Sequence, residues 1–313
     1  MPTLNERSMR LIDALAADAD RYRVGVSDLA GARVVDCGVT ARGGLAAGLM
    51  LARITAGDLL DVTLAPDPDH AGGPVVQVRT DDPVRACLAA QYAGWQIAVG
   101  KYFGMGSGPM RALYAQEPLF GHLPGREASP VGVGAIEGKK LPPAAVVEHL
   151  ANKLGLPTDR LALAVAPAAS LAGGVQVVAR SVETALHKLH ELKFDVTQVV
   201  SGYGTAPLPP VAADELAAIG RTNDAILYGG RVTLWVDCPD AEIDAVGPRV
   251  PSSASTDHGT RFAELFARYG DFYKIDPLLF SPAEVTFVNV ATGRCRAFGR
   301  VEPDIIRASF FGV

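Results

Sequence analysis

The stretch GGVQVVARSVETALHKLHEL, residues 173–192, decides how this chain is read. Paired glycines followed by Val-Gln-Val-Val predict a strand over 175–179, because β-branched residues suit a pleated surface. Arg180 then closes the strand, and Ser181 is expected to cap an amphipathic helix over 182–192. Glu183 falls in the first turn of that helix. A strand-to-helix junction of this kind often faces a ligand crevice. The helix dipole and an adjacent guanidinium both favour an ionised carboxylate there. Such a glutamate can take a proton from water, a step worth about 100- to 10,000-fold in rate. The same residues also fit an ordinary helix start, with Arg180 as a surface partner worth less than about 1 kcal/mol. Spacing alone leaves both readings open.

Working outward, a similar unit precedes this one. Gly72-Gly73 leads to a strand over 75–79, a helix over 84–94, a strand over 95–100 and the Gly-rich string 104–109. After residue 192 come a strand over 197–200 and the Gly/Pro string 201–207. The shared order suggests two pseudo-symmetric halves, or a chance likeness of two strand–helix–strand units. Two copies are too few for a solenoid. Helices are expected over 5–23, 143–154, 213–220 and 260–269, and further strands over 33–36, 58–64 and 232–237. The Gly- and Pro-rich residues 124–143 read as a linker. At roughly 100–200 residues per domain, 313 residues suggest two domains, divided as 1–125 and 126–313 or else discontinuous in the chain. Alternation without a regular βαβα cadence predicts an α/β fold of the α+β type with mixed sheets.

Composition removes several function classes. A hydrophobic fraction of 49% with 20% charged residues excludes general disorder. The net charge is −5, and no Lys/Arg run exceeds a dipeptide, so no nucleic-acid partner is expected. The uncharged residues 161–179 approach a membrane span in length. Pro167, Ser170 and Gly173 interrupt them, and they read as two buried strands joined by a turn. No signal peptide is visible, so a cytoplasmic location is expected. Cys37, Cys87, Cys238 and Cys295 lie far apart and predict buried free thiols. His187 and His190 are three apart, but no carboxylate pattern accompanies them, so no metal is expected.

Three other strings can carry binding chemistry. In Gly104-Met105-Gly106-Ser107-Gly108-Pro109, glycine N–H groups and the Ser107 hydroxyl can form an anion nest, with Arg111 adding charge. A tight turn before a helix fits that string equally well. In Gly220-Arg221-Thr222-Asn223-Asp224, Asn223 and Asp224 can bond the amide edges of a heterocycle, and Arg221 an anionic tail. Simple turn chemistry is the other reading. In Asp271-Phe272-Tyr273-Lys274-Ile275-Asp276, aromatic and charged residues suit a flat ring beside a charge. An edge segment with a snorkelling Lys274 also fits. No Gly-x-Ser-x-Gly elbow is present.

Taken together, these strings resemble the methenyltetrahydromethanopterin cyclohydrolases. The resemblance is carried by Asp36-Cys37-Gly38-Val39, residues 104–111, Val165-Ala166-Pro167 with Ser170-Leu171-Ala172-Gly173, and residues 179–188, 220–230 and 271–283. It covers nearly the whole chain. Ala168 and Gly174 stand where the family is associated with hydroxyl residues. The resemblance implies reversible hydrolysis of a 5,10-methenyl pterin cation to its 5-formyl form in one-carbon metabolism, without a cofactor. It implies a two-domain fold with the pterin in a cleft between domains, and a homotrimer. It places the family's catalytic pair at Arg180 and Glu183. The substrate's anionic tail would then fall to Gly104, Gly106, Ser107, Arg111, Arg221 and Lys274. A non-catalytic pterin-binding subunit and a nucleotide-dependent transferase built on residues 104–109 are the alternatives.

Overall fold

A computed structural model describes residues 1–66, 73–270 and 274–312. Helix α1 (Leu4–Ala17) starts on a capping box, in which Thr3 Oγ1 accepts from Glu6 N and the Glu6 carboxylate accepts from Thr3 N. The chain continues through α2 (Ala19–Tyr22), β1 (Gly25–Leu29), β2 (Ala32–Asp36), α3 (Leu45–Thr55), β3 (Asp61–Pro66) and β4 (Pro74–Thr80). A π-helix, Val84–Gln91, leads to β5 (Trp95–Val99), β6 (Tyr102–Ser107), α4 (Met110–Tyr114), β7 (Gly132–Glu137) and α5 (Ala144–Leu154). Then come β8 (Leu161–Ala166), α6 (Leu171–Val178), α7 (Ser181–Glu191), β9 (Val199–Pro207), α8 (Glu215–Gly229) and β10 (Arg231–Val236). Helices α9 (Asp240–Val246) and α10 (Phe262–Tyr269), strands β11 (Glu284–Asn289) and β12 (Cys295–Gly299), and helix α11 (Pro303–Phe311) complete it.

The chain forms two compact units, and both are discontinuous. One comprises residues 1–61 and 84–176, the other 62–83 and 177–313. The expected division after residue 125 falls inside the first unit. The first unit's sheet has the order β1-β2-β8-β7-β6-β5, with β2, β8 and β7 parallel and the outer pairs antiparallel. Residues of α1 and α3 pack with alternate strand residues in one core cluster, and residues of α5 in another. Covered on both faces, β8 is apolar throughout, as a parallel strand must be. The second unit's sheet has the order β12-β11-β10-β9-β4-β3, and β10 and β11 run parallel. The predicted class of helices with mixed sheets is therefore the observed one.

Several expectations need correction. Residues 175–179 are not a strand: 175–178 belong to α6, and Ala179 lies in the turn after it. Ser170 starts that helix in the manner of an N-cap: its Oγ accepts from Gly173 N at 3.0 Å and donates to Pro167 O at 2.8 Å. Tertiary packing outweighs the β-propensity of Val-Gln-Val-Val. The expected linker contains β7, a central strand. Gly134 sits in it because a Cβ there would meet Met110 Sδ at 2.3 Å. The two-copy repeat dissolves too, since the second copy opens with a helix and the first is split between units. Cys37, Cys87 and Cys238 are buried free thiols, whereas Cys295 is exposed. Among the described residues no helix is long and apolar enough to cross a membrane.

Candidate active site

The first turn of α7 is built on β9. A Cβ at Gly202 would come within 2.7 Å of Val182 Cγ1, and one at Gly204 within 2.4 Å of Ser181 Oγ. Only glycine lets the helix settle this closely on the strand. Ser181 is therefore not the cap. It is the first helical residue, wholly buried, with its hydroxyl turned toward β9. Arg180 takes the N-cap position instead, at φ −92° and ψ 11°. Its N–H donates to Val177 O at 3.1 Å, and its carbonyl accepts from Thr184 N at 2.9 Å. The junction is helix to helix rather than strand to helix.

Both members of the proposed pair are buried: Glu183 is 4% exposed and Arg180 7%. That rules out the surface ion pair. Ionisable groups are rarely hidden so fully unless paired. A carboxylate three residues into an 11-residue helix also lies where the N-terminal dipole favours negative charge. The geometry thus sets a carboxylate and a guanidinium at one buried helix start.

The other predicted residues separate. Gly104 and Gly106 lie within β6, opposite Ile97 and Trp95 of β5, with Gly106 also opposite Ile136 of β7, so their strand is not an anion nest. A Cβ at Gly104 would meet Ile136 Cγ2 at 2.6 Å, and one at Gly106 would meet Ile97 Cδ1 at 2.8 Å. Ser107 is buried at the strand's end, 3.5 Å from Ala135 O. Gly108 makes the turn at φ +94°, and Pro109 caps α4. The tight-turn reading holds, and the nucleotide-transferase alternative loses its loop.

Arg111 is wholly buried and turned inward. Its Nε and Nη2 donate to Glu117 at 2.8 and 2.6 Å. Its Nη1 donates to Leu88 O at 2.9 Å and Ala90 O at 3.4 Å. Those carbonyls belong to the last turn of the π-helix, where orphan acceptors need a donor. The guanidinium also stacks over Tyr92 at 4.9 Å and Phe120 at 5.5 Å. Arg111 therefore pins the π-helix rather than a ligand.

Residues 220–224 are not a turn but the interior of α8. Asp214 caps that helix by accepting from Ala217 N, and Asn223 Nδ2 bonds back to Ile219 O at 2.8 Å. Arg221, half-buried, donates through Nη1 to Pro210 O and Val211 O. Asp224 is 1% exposed and joins three helices: it accepts from Phe262 N at 2.8 Å and from Ser309 Oγ at 2.6 Å. Burial pushes its carboxyl up to about 6, against the pull of those two bonds. Lys274 is exposed, while Asp271, Phe272 and Tyr273 lie outside the described residues.

Two features escaped the sequence reading. Asp36 accepts from the N–H groups of Gly38, Val39, Thr40 and Ala41 and from Thr40 Oγ1, holding the loop after β2. Burial pushes its carboxyl up, but the bonds from Thr40, Ala41 and Gly38 outweigh it and hold it low. Lys188, two turns into α7, is also wholly hidden. Among the described residues no cluster of His, Cys, Asp and Glu could hold a metal.

The family model described as "Cyclohydrolase (MCH)" matches residues 3–310. This chain belongs to that cyclohydrolase family. It is 49% identical to the methenyltetrahydromethanopterin cyclohydrolase of Rhodopirellula baltica, over 99% of this chain and 95% of the relative. The protein of that name from Methylobacterium sp. (strain 4-46) is 46% identical, over 99% and 98%. The one from Methanospirillum hungatei is 41% identical, over 99% of each. The alignment of a whole cyclohydrolase chain, rather than one shared module, agrees with the whole-chain resemblance seen in the motifs.

Two substitutions test these placements. Arg111→Met leaves Glu117 facing an apolar side chain and is expected to cost about 3–5 kcal/mol in urea unfolding. Near-wild-type stability with a raised KM would instead mark a ligand contact. Asp224→Asn keeps an acceptor for Phe262 N and can donate to Ser309 Oγ. The folded carboxyl is raised above its usual 3.8, so the fold favours the protonated form. That stability is present at low pH and lost as pH rises through about 6. The variant should match wild type near pH 4 and exceed it by roughly 3 kcal/mol above pH 7. A variant less stable at pH 8 than at pH 4, relative to wild type, would contradict the placement.

Proposed function

We propose that this chain catalyses the reversible hydrolysis of 5,10-methenyltetrahydromethanopterin to the 5-formyl compound, with Glu183 as general base and then acid, and Arg180 as its orienter. The observation that carries the reading is the burial of Glu183 and Arg180 together at the start of α7, in a chain of the cyclohydrolase family. The printed names of the relatives supply the substrate.

The chemistry asks little beyond this pair. The methenyl carbon lies between two nitrogens that share a positive charge, so it is already electrophilic. Water must be held against it and lose a proton as the C–O bond forms. Glu183 takes that proton. The carbon–nitrogen bond at position 10 then breaks, its electron pair returns to nitrogen, Glu183 delivers the proton there, and the carbinol hydroxyl releases its own proton to solvent as the C=O bond forms. The 5-formyl group remains. A carboxylate also favours approach of the cationic substrate, and a guanidinium beside it fixes its orientation. No step requires a metal or redox partner, and we assign no cofactor.

Arg221, Asn223 and Lys274 are retained as substrate-binding residues, the two cations for the anionic tail. Gly104, Gly106, Ser107 and Arg111 are assigned to the framework of the first unit, and Asp224 to that of the second. A cytoplasmic place in one-carbon metabolism and a homotrimeric assembly are proposed on the family resemblance. A spectrophotometric assay that follows loss of the methenyl chromophore tests the reading. Glu183→Gln should lower turnover by at least about 100-fold while substrate still binds. Wild-type activity should survive chelator treatment. Near-wild-type turnover by Glu183→Gln would end the assignment.

A further inference from the structure

Helix α7 carries a second buried charge that the reaction does not use. Lys188 is 1% exposed, and its ammonium donates to the carbonyl of Leu278. No ion pair holds it among the described residues. A buried ammonium with a carbonyl as its partner is an expensive choice where an apolar side chain of similar volume would pack. The contact is directional, and its direction leads to a particular segment.

Leu278 lies in the single 3-10 turn Pro277–Leu279. Asp276 caps that turn by accepting from Leu278 N at 3.0 Å. Its other oxygen accepts from Ser255 Oγ at 2.6 Å, and its N–H donates to Asp257 Oδ2 at 3.3 Å. Asp257 in turn accepts from the Tyr269 hydroxyl at the end of α10 at 2.9 Å. The segment that follows Lys274 is therefore a rigid knot of hydrogen bonds, and Lys188 ties the knot to α7. Glu183 stands five residues earlier on that helix, about 7.5 Å along its axis.

We propose that Lys188 is a positioning residue for substrate binding: by holding the Leu278 carbonyl against α7, it keeps the Lys274 segment in register with the helix that bears Glu183. This rests on the reading of Lys274 as a contact to the substrate's anionic part. Two charged groups act on Lys188 from neighbouring elements: Asp276 on the turn and Arg249 at the end of the 3-10 helix Gly247–Arg249. Burial pushes the lysine down to about 8, with Asp276 opposing and Arg249 assisting. The bond is charge-assisted below that pH and an ordinary neutral one above it.

Steady-state kinetics with the methenyl pterin on wild type, Lys188→Met, Lys274→Ala and the double variant tests the proposal. Each single change should raise KM about tenfold with kcat nearly unchanged, as loss of one charge-assisted bond predicts. The double variant should be no worse than Lys274→Ala, because both act through one contact. A raised KM in Lys274→Ala beside a wild-type KM in Lys188→Met overturns the proposal. A wild-type KM in Lys274→Ala overturns the reading beneath it. If Lys188→Met does not fold, the unmodified enzyme decides. Its KM should climb as pH rises through about 8, and Lys274→Ala should remove the climb. A flat KM in the unmodified enzyme overturns the proposal.

Discussion

Glycines 202 and 204 leave no side chain between β9 and the first turn of α7, and the candidate site depends on that close seat. Ser181 and Val182 fill the space where Cβ atoms would stand. With those two residues turned to the sheet, the helix start is fixed in height and rotation. Arg180 and Glu183 are carried into burial as a consequence. A carboxylate in such a place is a different reagent from one on a solvated surface. The first turn of a helix is a place where negative charge is favoured. On the proposed mechanism, Glu183 accepts a proton from water there and returns it to nitrogen.

The framework of the first unit works by the same economy of space. Gly134 yields to Met110, Gly104 to Ile136 and Gly106 to Ile97, so the strands of the first unit's sheet lie under bulky neighbours. Arg111 closes the π-helix, and Asp36 closes the loop after β2. These polar residues spend their hydrogen bonds on backbone groups of the interior. In the second unit, Asp224 does the same for the start of α10 and for α11. Lys188 extends the pattern from α7 to the turn at Leu278.

The family was legible from strings of residues, because its motifs keep their order along the whole chain. The class of fold was legible from β8, β10, α1 and α5, whose apolar patterns match their elements. What misled were glycines and small polar residues. Val-Gln-Val-Val after Gly-Gly looks extended, yet Gly48 and Ala172 let α3 and α6 approach and make it helical. Gly220, Asn223 and Asp224 look like a turn. Within α8 they serve instead a close approach to Ala263, a back-bond to Ile219 O and a link to α10. Local propensity cannot report partners that lie forty residues away. Lys188 gave no signal for a similar reason: a lysine near the end of a helix is ordinarily solvated.

On the proposed mechanism, the seat of α7 on β9 positions Glu183 for proton transfer. The kcat of Gly204→Ala tests it most directly, since the added carbon would lie 2.4 Å from Ser181 Oγ and 3.0 Å from Val182 Cγ2. Gly204→Ala should fold cooperatively with a kcat lower on the order of 10- to 100-fold, the effect of displacing a reacting group by a fraction of an ångström to about 1 Å. A folded variant with wild-type kcat would show that the position of Glu183 does not depend on this seat.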